Sequence, residues 1–144
     1  MADAFLVDTS VFVRWFLRQV GYEHAREIRT GFLAGSVRLQ TVDCVRFELG
    51  HVLRTRGLLK GRLDGKEYLA ATRSIDDLDI TVHVTDGDAL ERSAELAWQR
   101  SLRFFDAVLM DRALVEGLPL LTSDRRLVNA AGATGSVEIL RGVP

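Results

Sequence analysis

Ala4-Phe5-Leu6-Val7-Asp8-Thr9-Ser10-Val11 decides the reading of this chain. Four apolar residues without alternation fit a short strand buried on both faces, as in a parallel sheet. The run stops at Asp8, and Thr9 or Ser10 can cap a helix carrying Val11, Trp15 and Phe16. A strand that ends in an acid and feeds a helix is the opening of an α/β unit.

The rest of the chain repeats that alternation. A helix is expected over His24 to Ala34, closed by Gly35, followed by a strand over Val37 to Val42. Asp43 then caps a helix with Val45, Leu49, Val52 and Leu53 on one face, ended by Gly57. Asp64 opens a helix to about Asp76, and Ile80 to Val84 alternates as a strand. The next helix, Asp86 to Arg100, carries a stripe of Leu90, Ala94, Ala97 and Trp98. Asp106 to Glu116 forms another, stopped by Gly117. Pro119 to Thr122 is a strand, Asp124 starts a short helix to about Ala131, and Val137 to Leu140 is the last strand. Strands alternating with helices predict one α/β/α domain over residues 1–144, with a mostly parallel sheet of about five strands.

Composition sets the class. At 144 residues and 47% hydrophobic, the chain can bury one sizeable core. No apolar run approaches the roughly 20 residues needed to span a bilayer, and Met1-Ala2-Asp3-Ala4 does not open like a signal peptide. Cys44 is the only cysteine, so no internal disulfide can form. Together these features favour a cytoplasmic protein. A net charge of -1 gives no bulk attraction to nucleic acid, although bases prevail before residue 61 and acids after it. Lys60 and Lys66 are the only lysines. Arginine suits bidentate phosphate contacts, and a GC-rich genome would produce the same bias.

In parallel α/β folds, sites form at the carboxyl ends of the strands. Asp8 and Asp124 follow strands, and Glu48 borders the apolar stripe of the helix after the second strand. Asp106 needs Ser101 to Phe105 to return the chain to the same edge. Each acid has a second reading, as a helix cap or a solvated edge residue. As a set, they would repel one another without a cation, and oxygen-only ligands suit Mg²⁺ or Mn²⁺. The absence of a Cys/His cluster argues against zinc. Asp111 lies about 140° round its helix from Asp106 and is expected in a salt bridge. Arg14, Arg18 and Arg103 are candidates for phosphate contact; Trp15, Trp98, Phe104, Phe105 and Cys44 are expected in packing.

Phe5-Leu6-Val7-Asp8-Thr9-Ser10-Val11, Phe47-Glu48-Leu49, Phe105-Asp106-Ala107 and Leu121-Thr122-Ser123-Asp124-Arg125 together resemble the PIN-domain family, in particular its VapC-type toxins. The resemblance runs nearly end to end. It implies Mg²⁺ or Mn²⁺ at Asp8, Asp106 and Asp124, with Glu48 as a fourth acid and Ser10 and Thr122 in support. It further implies endoribonuclease activity, a homodimer and inhibition by a VapB-like antitoxin. Leu109 departs from the family, where many relatives carry Tyr or His. Three rivals use similar parts. A receiver-type signalling domain needs a lysine late in the chain, and an Asp-x-Asp phosphatase needs a second acid where Ser10 stands. A non-catalytic PIN-fold binding module needs neither.

Overall fold

A computed structural model describes residues 3–132 and 134–144. Met1 and Ala2, half of the N-terminal stretch considered above, lie outside it, as does Ala133. Five strands, β1 (Asp3–Val7), β2 (Val37–Val42), β3 (Thr81–His83), β4 (Leu120–Thr122) and β5 (Val137–Ile139), form one sheet in the order β3-β2-β1-β4-β5. Every pairing is parallel, with Phe5 opposite Leu39 and Val7 opposite Leu121. The central strands are apolar on both faces, as the uninterrupted runs require: Phe5, Leu6, Val7, Leu120 and Leu121 are all buried.

The helices are α1 (Thr9–Val13), α2 (Tyr22–Leu33), α3 (Asp43–Val52), α4 (Gly65–Asp77), α5 (Gly87–Arg100), α6 (Phe104–Glu116) and α7 (Arg125–Ala131). From β1 the chain steps outward through β2 to β3, then crosses back to β4 and β5 on the other side of β1. Right-handed crossovers therefore put α2, α3 and α4 on one face and α5, α6 and α7 on the other. The reversal falls between β1 and β4, so the switch point opens beyond Val7 and Thr122.

Local chemistry fixes the starts of α4 and α5. Asp64 accepts from Glu67 N while the Glu67 carboxylate accepts from Asp64 N, a reciprocal capping box on α4. Asp86 caps α5 through Ala89 N. Asp43 does not cap α3 as the sequence suggested. It is the first helical residue, and its carboxylate accepts from Cys44 N and from both the amide and hydroxyl of Thr85. It thereby ties α3 to the segment after β3.

Other boundaries also move. α1 stops at Val13, before Trp15 and Phe16, and neither Thr9 nor Ser10 caps it: Asp8 holds the N-cap position, and the Ser10 hydroxyl bonds to Asp8. Trp15 packs edge-on to Phe12 and donates its indole N–H to Ala25 O. Gly57 does not end the third helix. α3 runs on into a π-helical turn, Leu53–Leu58. A Cβ on Gly57 would stand 2.7 Å from Leu63 Cδ1, so the glycine permits close packing instead of stopping the helix.

Of the apolar stripe assigned to α5, only Ala97 turns toward the core; Leu90, Ala94 and Trp98 face water. Leu90 is 45% and Trp98 84% exposed. The inward side carries Ala89 and Ser93, with Leu96 and Ala97 packed against the core. Small residues there let α5 and α6 approach closely, and Arg92 donates two hydrogen bonds to buried Asp111 across the pair. Phe104 and Phe105 are exposed too, so they are not packing residues. Cys44 is only partly buried against the core.

Candidate active site

A hollow of about 360 Å³ lies over the switch point, lined by Asp8, Glu48, Asp106 and Asp124 together with Arg14, Arg56, Arg103 and Arg126. Backbone pairing brings its two centre pieces together: Asp8 N donates to Leu121 O at 3.0 Å, so the ends of β1 and β4 are held side by side.

Asp8 is the most constrained of the acids, at 8% exposure. The Ser10 and Thr122 hydroxyls donate to its Oδ2 at 2.8 and 2.7 Å. Each hydroxyl also accepts, Ser10 Oγ from Ser123 N and Thr122 Oγ1 from Asp124 N, both at 3.0 Å. The donors and acceptors form one closed set around a single carboxylate oxygen. Among the described residues no side chain hydrogen-bonds to Asp8 Oδ1. Burial raises the pKa of Asp8, and the charge of Asp106 adds to it, against the lowering effect of the two hydroxyls.

The other three acids stand around it. Asp106 sits in the first turn of α6, which begins at Phe104, two residues before the sequence suggested. Asp124 caps α7 by accepting from Arg126 N. Glu48, beside the apolar stripe of α3 as the sequence suggested, lines the hollow and is exposed to water. Partial burial and the neighbouring charge of Asp8 raise its pKa.

Arg103 connects two of the acids. It donates to Asp106 Oδ2 and Asp124 Oδ2, each at 3.1 Å. Arg126 reaches both oxygens of Asp124 at 3.4 Å. Among the described residues, no three Asp, Glu, His or Cys side chains stand close enough to enclose one ion as they are. The donor set nonetheless suits a hard divalent cation. It offers oxygen only, and it sets Asp106 near enough for its charge to raise the pKa of both Asp8 and Glu48. A cation would have to displace Arg103 from the carboxylates.

Arg14 lines the hollow, and Arg18 does not; it borders a second depression with Tyr22 and Gly142. Sequence reasoning missed Arg56 and Arg126, since nothing distinguishes them within an arginine-rich chain. His51 and Asp111 lie outside the hollow, the latter in its ion pair with Arg92. No lysine lines the hollow, which removes the receiver-type alternative, and Ser10 stands where an Asp-x-Asp phosphatase needs an acid. No helix is long and apolar enough to cross a membrane among the described residues.

Comparison with known proteins agrees with this architecture. No curated protein matches the sequence significantly. Among solved structures, VapC20 of Mycobacterium tuberculosis, described as a sarcin-ricin loop cleaving toxin, is 18% identical. It superposes with a TM-score of 0.69 over 88% of this chain and 94% of its own. PAE2754 of Pyrobaculum aerophilum gives 0.66 at 23% identity, over 96% and 84%. VapBC-5 of Mycobacterium tuberculosis, a toxin–antitoxin system, gives 0.62 at 24% identity, over 96% and 98%. The PIN-domain profile matches residues 5–133, nearly the whole chain, and the chain belongs to the PIN-domain family.

Proposed function

We propose that this protein is a divalent-metal-dependent endoribonuclease, the toxin of a VapBC-type pair, inhibited by a VapB-like antitoxin. The observation that carries the reading is the buried Asp8 carboxylate, fixed by Ser10 and Thr122 and facing Glu48, Asp106 and Asp124 across one hollow. The RNA-cleaving neighbour of the same fold supports RNA as the substrate, and the toxin–antitoxin neighbour supports an antitoxin partner.

Asp8, Asp106 and Asp124 would hold Mg²⁺ or Mn²⁺, with Glu48 completing the set. The cation would neutralise charge on the scissile phosphate and make a water more acidic. The chain's own residues do the remaining work. Ser10 and Thr122 hold the orientation of Asp8 through two hydrogen bonds to one of its oxygens. Glu48, with its raised pKa and open position, is suited to orient the attacking water and accept its proton. Arg103, once off the acids, is within reach of a phosphate oxygen in the same hollow. Exposed apolar side chains, Phe47 on α3 and Leu90 and Trp98 on α5, offer surface for an antitoxin and for a second copy of the chain in the cytoplasm.

The test is RNA cleavage by purified protein with Mg²⁺ or Mn²⁺, with EDTA, and with Asp8→Asn. Cleavage that disappears with chelator and with the variant supports the reading. Cleavage that survives both overturns it.

A further inference from the structure

The hollow carries four guanidiniums in two different conditions. Arg103 and Arg126 are tied to Asp106 and Asp124. Arg14 and Arg56 are not: among the described residues neither has an ion-pair partner. Arg14 is the residue that caps the end of α1, and Arg56 lies in the π-helical turn that continues α3, the helix α1 packs against; Thr9, Ser10, Glu48 and Val52 line the same hollow.

Their placement is built. Arg14 donates Nε to Val20 O at 2.7 Å and Nη1 to Ser10 O at 2.8 Å, which pins the plane of its guanidinium against the backbone next to Asp8. Among the described residues nothing accepts a hydrogen bond from its remaining nitrogen, Nη2. Burial, then the charge of Arg56, lowers the pKa of Arg14. Arg56 sits in a turn whose wider winding redirects it from the path an α-helix would give, and such turns recur at functional sites. Gly57, packed against Leu63 and Leu17, fixes the backbone of that turn. Asp8 and Glu48 line the same hollow, but neither makes an ion pair with Arg14 or Arg56, and the two cations repel each other.

We propose that Arg14 and Arg56 form an anion subsite that binds a non-reacting phosphate of the RNA strand beside the one being cut. The proposal rests on the ribonuclease reading. An RNA strand supplies phosphates at regular spacing, and the fork of an arginine matches two of their oxygens. The subsite needs no metal, since neither residue belongs to the acidic set. The site thereby becomes polar from side to side, with an acidic centre for the reacting group and a cationic flank for its neighbour, which fixes the strand's register.

The experiment measures binding of a fluorescent 12-nucleotide single-stranded RNA in EDTA across a salt series, for wild type, Arg56→Gln and Arg56→Lys. Arg73→Gln, on the exposed side of α4, is the control. Among the described residues the Arg56 side chain makes no hydrogen bond, so its replacement should leave the fold intact, which a melting curve verifies. Arg56→Gln is expected to weaken binding several-fold and to lower the slope of log K against log salt by about 0.7, one phosphate's worth on a single strand. Arg56→Lys keeps the charge and restores the slope. Cleavage by Arg56→Gln should show a higher KM with kcat nearly unchanged. Wild-type affinity and slope in Arg56→Gln, with wild-type protein still cutting RNA, overturn the subsite alone. Wild-type protein that neither binds nor cuts RNA overturns the ribonuclease reading, and the subsite with it.

Discussion

Replacing Asp8 by asparagine should stabilise the metal-free protein and remove most of what metal adds. Ionised Asp8 is buried beside other acids, and its raised pKa means that the folded state disfavours its charge. Asparagine keeps an oxygen that can accept from Ser10 and Thr122. Weakening two charge-assisted bonds to neutral ones costs about 2 kcal/mol in total. Removing a buried charge returns several kcal/mol of desolvation, and relief from Asp106 and Glu48 adds on the order of 1 kcal/mol. The balance is a gain of about 1–3 kcal/mol in EDTA, or a rise in Tm of roughly 3–10 °C for a chain of this size. Metal at about 100 times its Kd adds about 2.7 kcal/mol to wild type and little to the variant, so the order of stabilities narrows or reverses. The sign with pH follows: in EDTA, stability falls as pH rises from about 4 through the raised pKa of Asp8, and Asp8→Asn lacks that component. The assay is thermal denaturation with EDTA and with Mn²⁺. An Asp8→Asn protein less stable than wild type in EDTA, or one that gains as much from Mn²⁺, would refute the reasoning.

Three further outcomes are expected. Arg103→Gln frees Asp106 and Asp124 of two exposed ion pairs worth about 0.2–1 kcal/mol each, so Mn²⁺ affinity by calorimetry should rise roughly 2- to 30-fold; unchanged or weaker binding would contradict this. Thr122→Val removes the donor to Asp8 and the acceptor for Asp124 N, and RNA cleavage should fall about 10- to 100-fold with wild-type circular dichroism. Asp43, though partly buried, has its pKa lowered by the Thr85 and Cys44 hydrogen bonds. Its stabilisation is therefore present above about pH 4 and lost as pH falls through its folded pKa. Asp43→Asn should cost about 1–3 kcal/mol at pH 7 in urea denaturation and flatten the acid limb, and an unaltered pH profile would count against the staple.

The strands were legible because burial on both faces leaves no room for polar residues. Phe5 to Val7 and Leu120 to Leu121 could hardly be anything else; Asp8 follows the first run directly and Asp124 lies three residues after the second. The face of α5 was not legible. Leu90 and Trp98 dominate any apolar count, yet the helix turns Ala89 and Ser93 inward, because packing against α6 rewards small size over hydrophobicity. Glu48, Asp106 and Asp124 could be read as a set only through strand order and resemblance, since each alone also suits a helix end. The π-helical turn has no sequence signature, and without it Arg56 had no reason to be singled out.

The hydrogen bonds that join Asp8 to Thr122 and Ser10 to Ser123 span up to 114 residues of chain. Closing so long a loop is entropically costly and slow, and no local contact can substitute for it. The consequence is one of timing. A chain still being made, or one that has folded only its first three strands, carries Asp8 and Glu48 with nothing to orient Asp8 and neither of the later acids at hand. The four acids therefore share one hollow only once β4 has paired with β1, and separating those two strands would take the set apart.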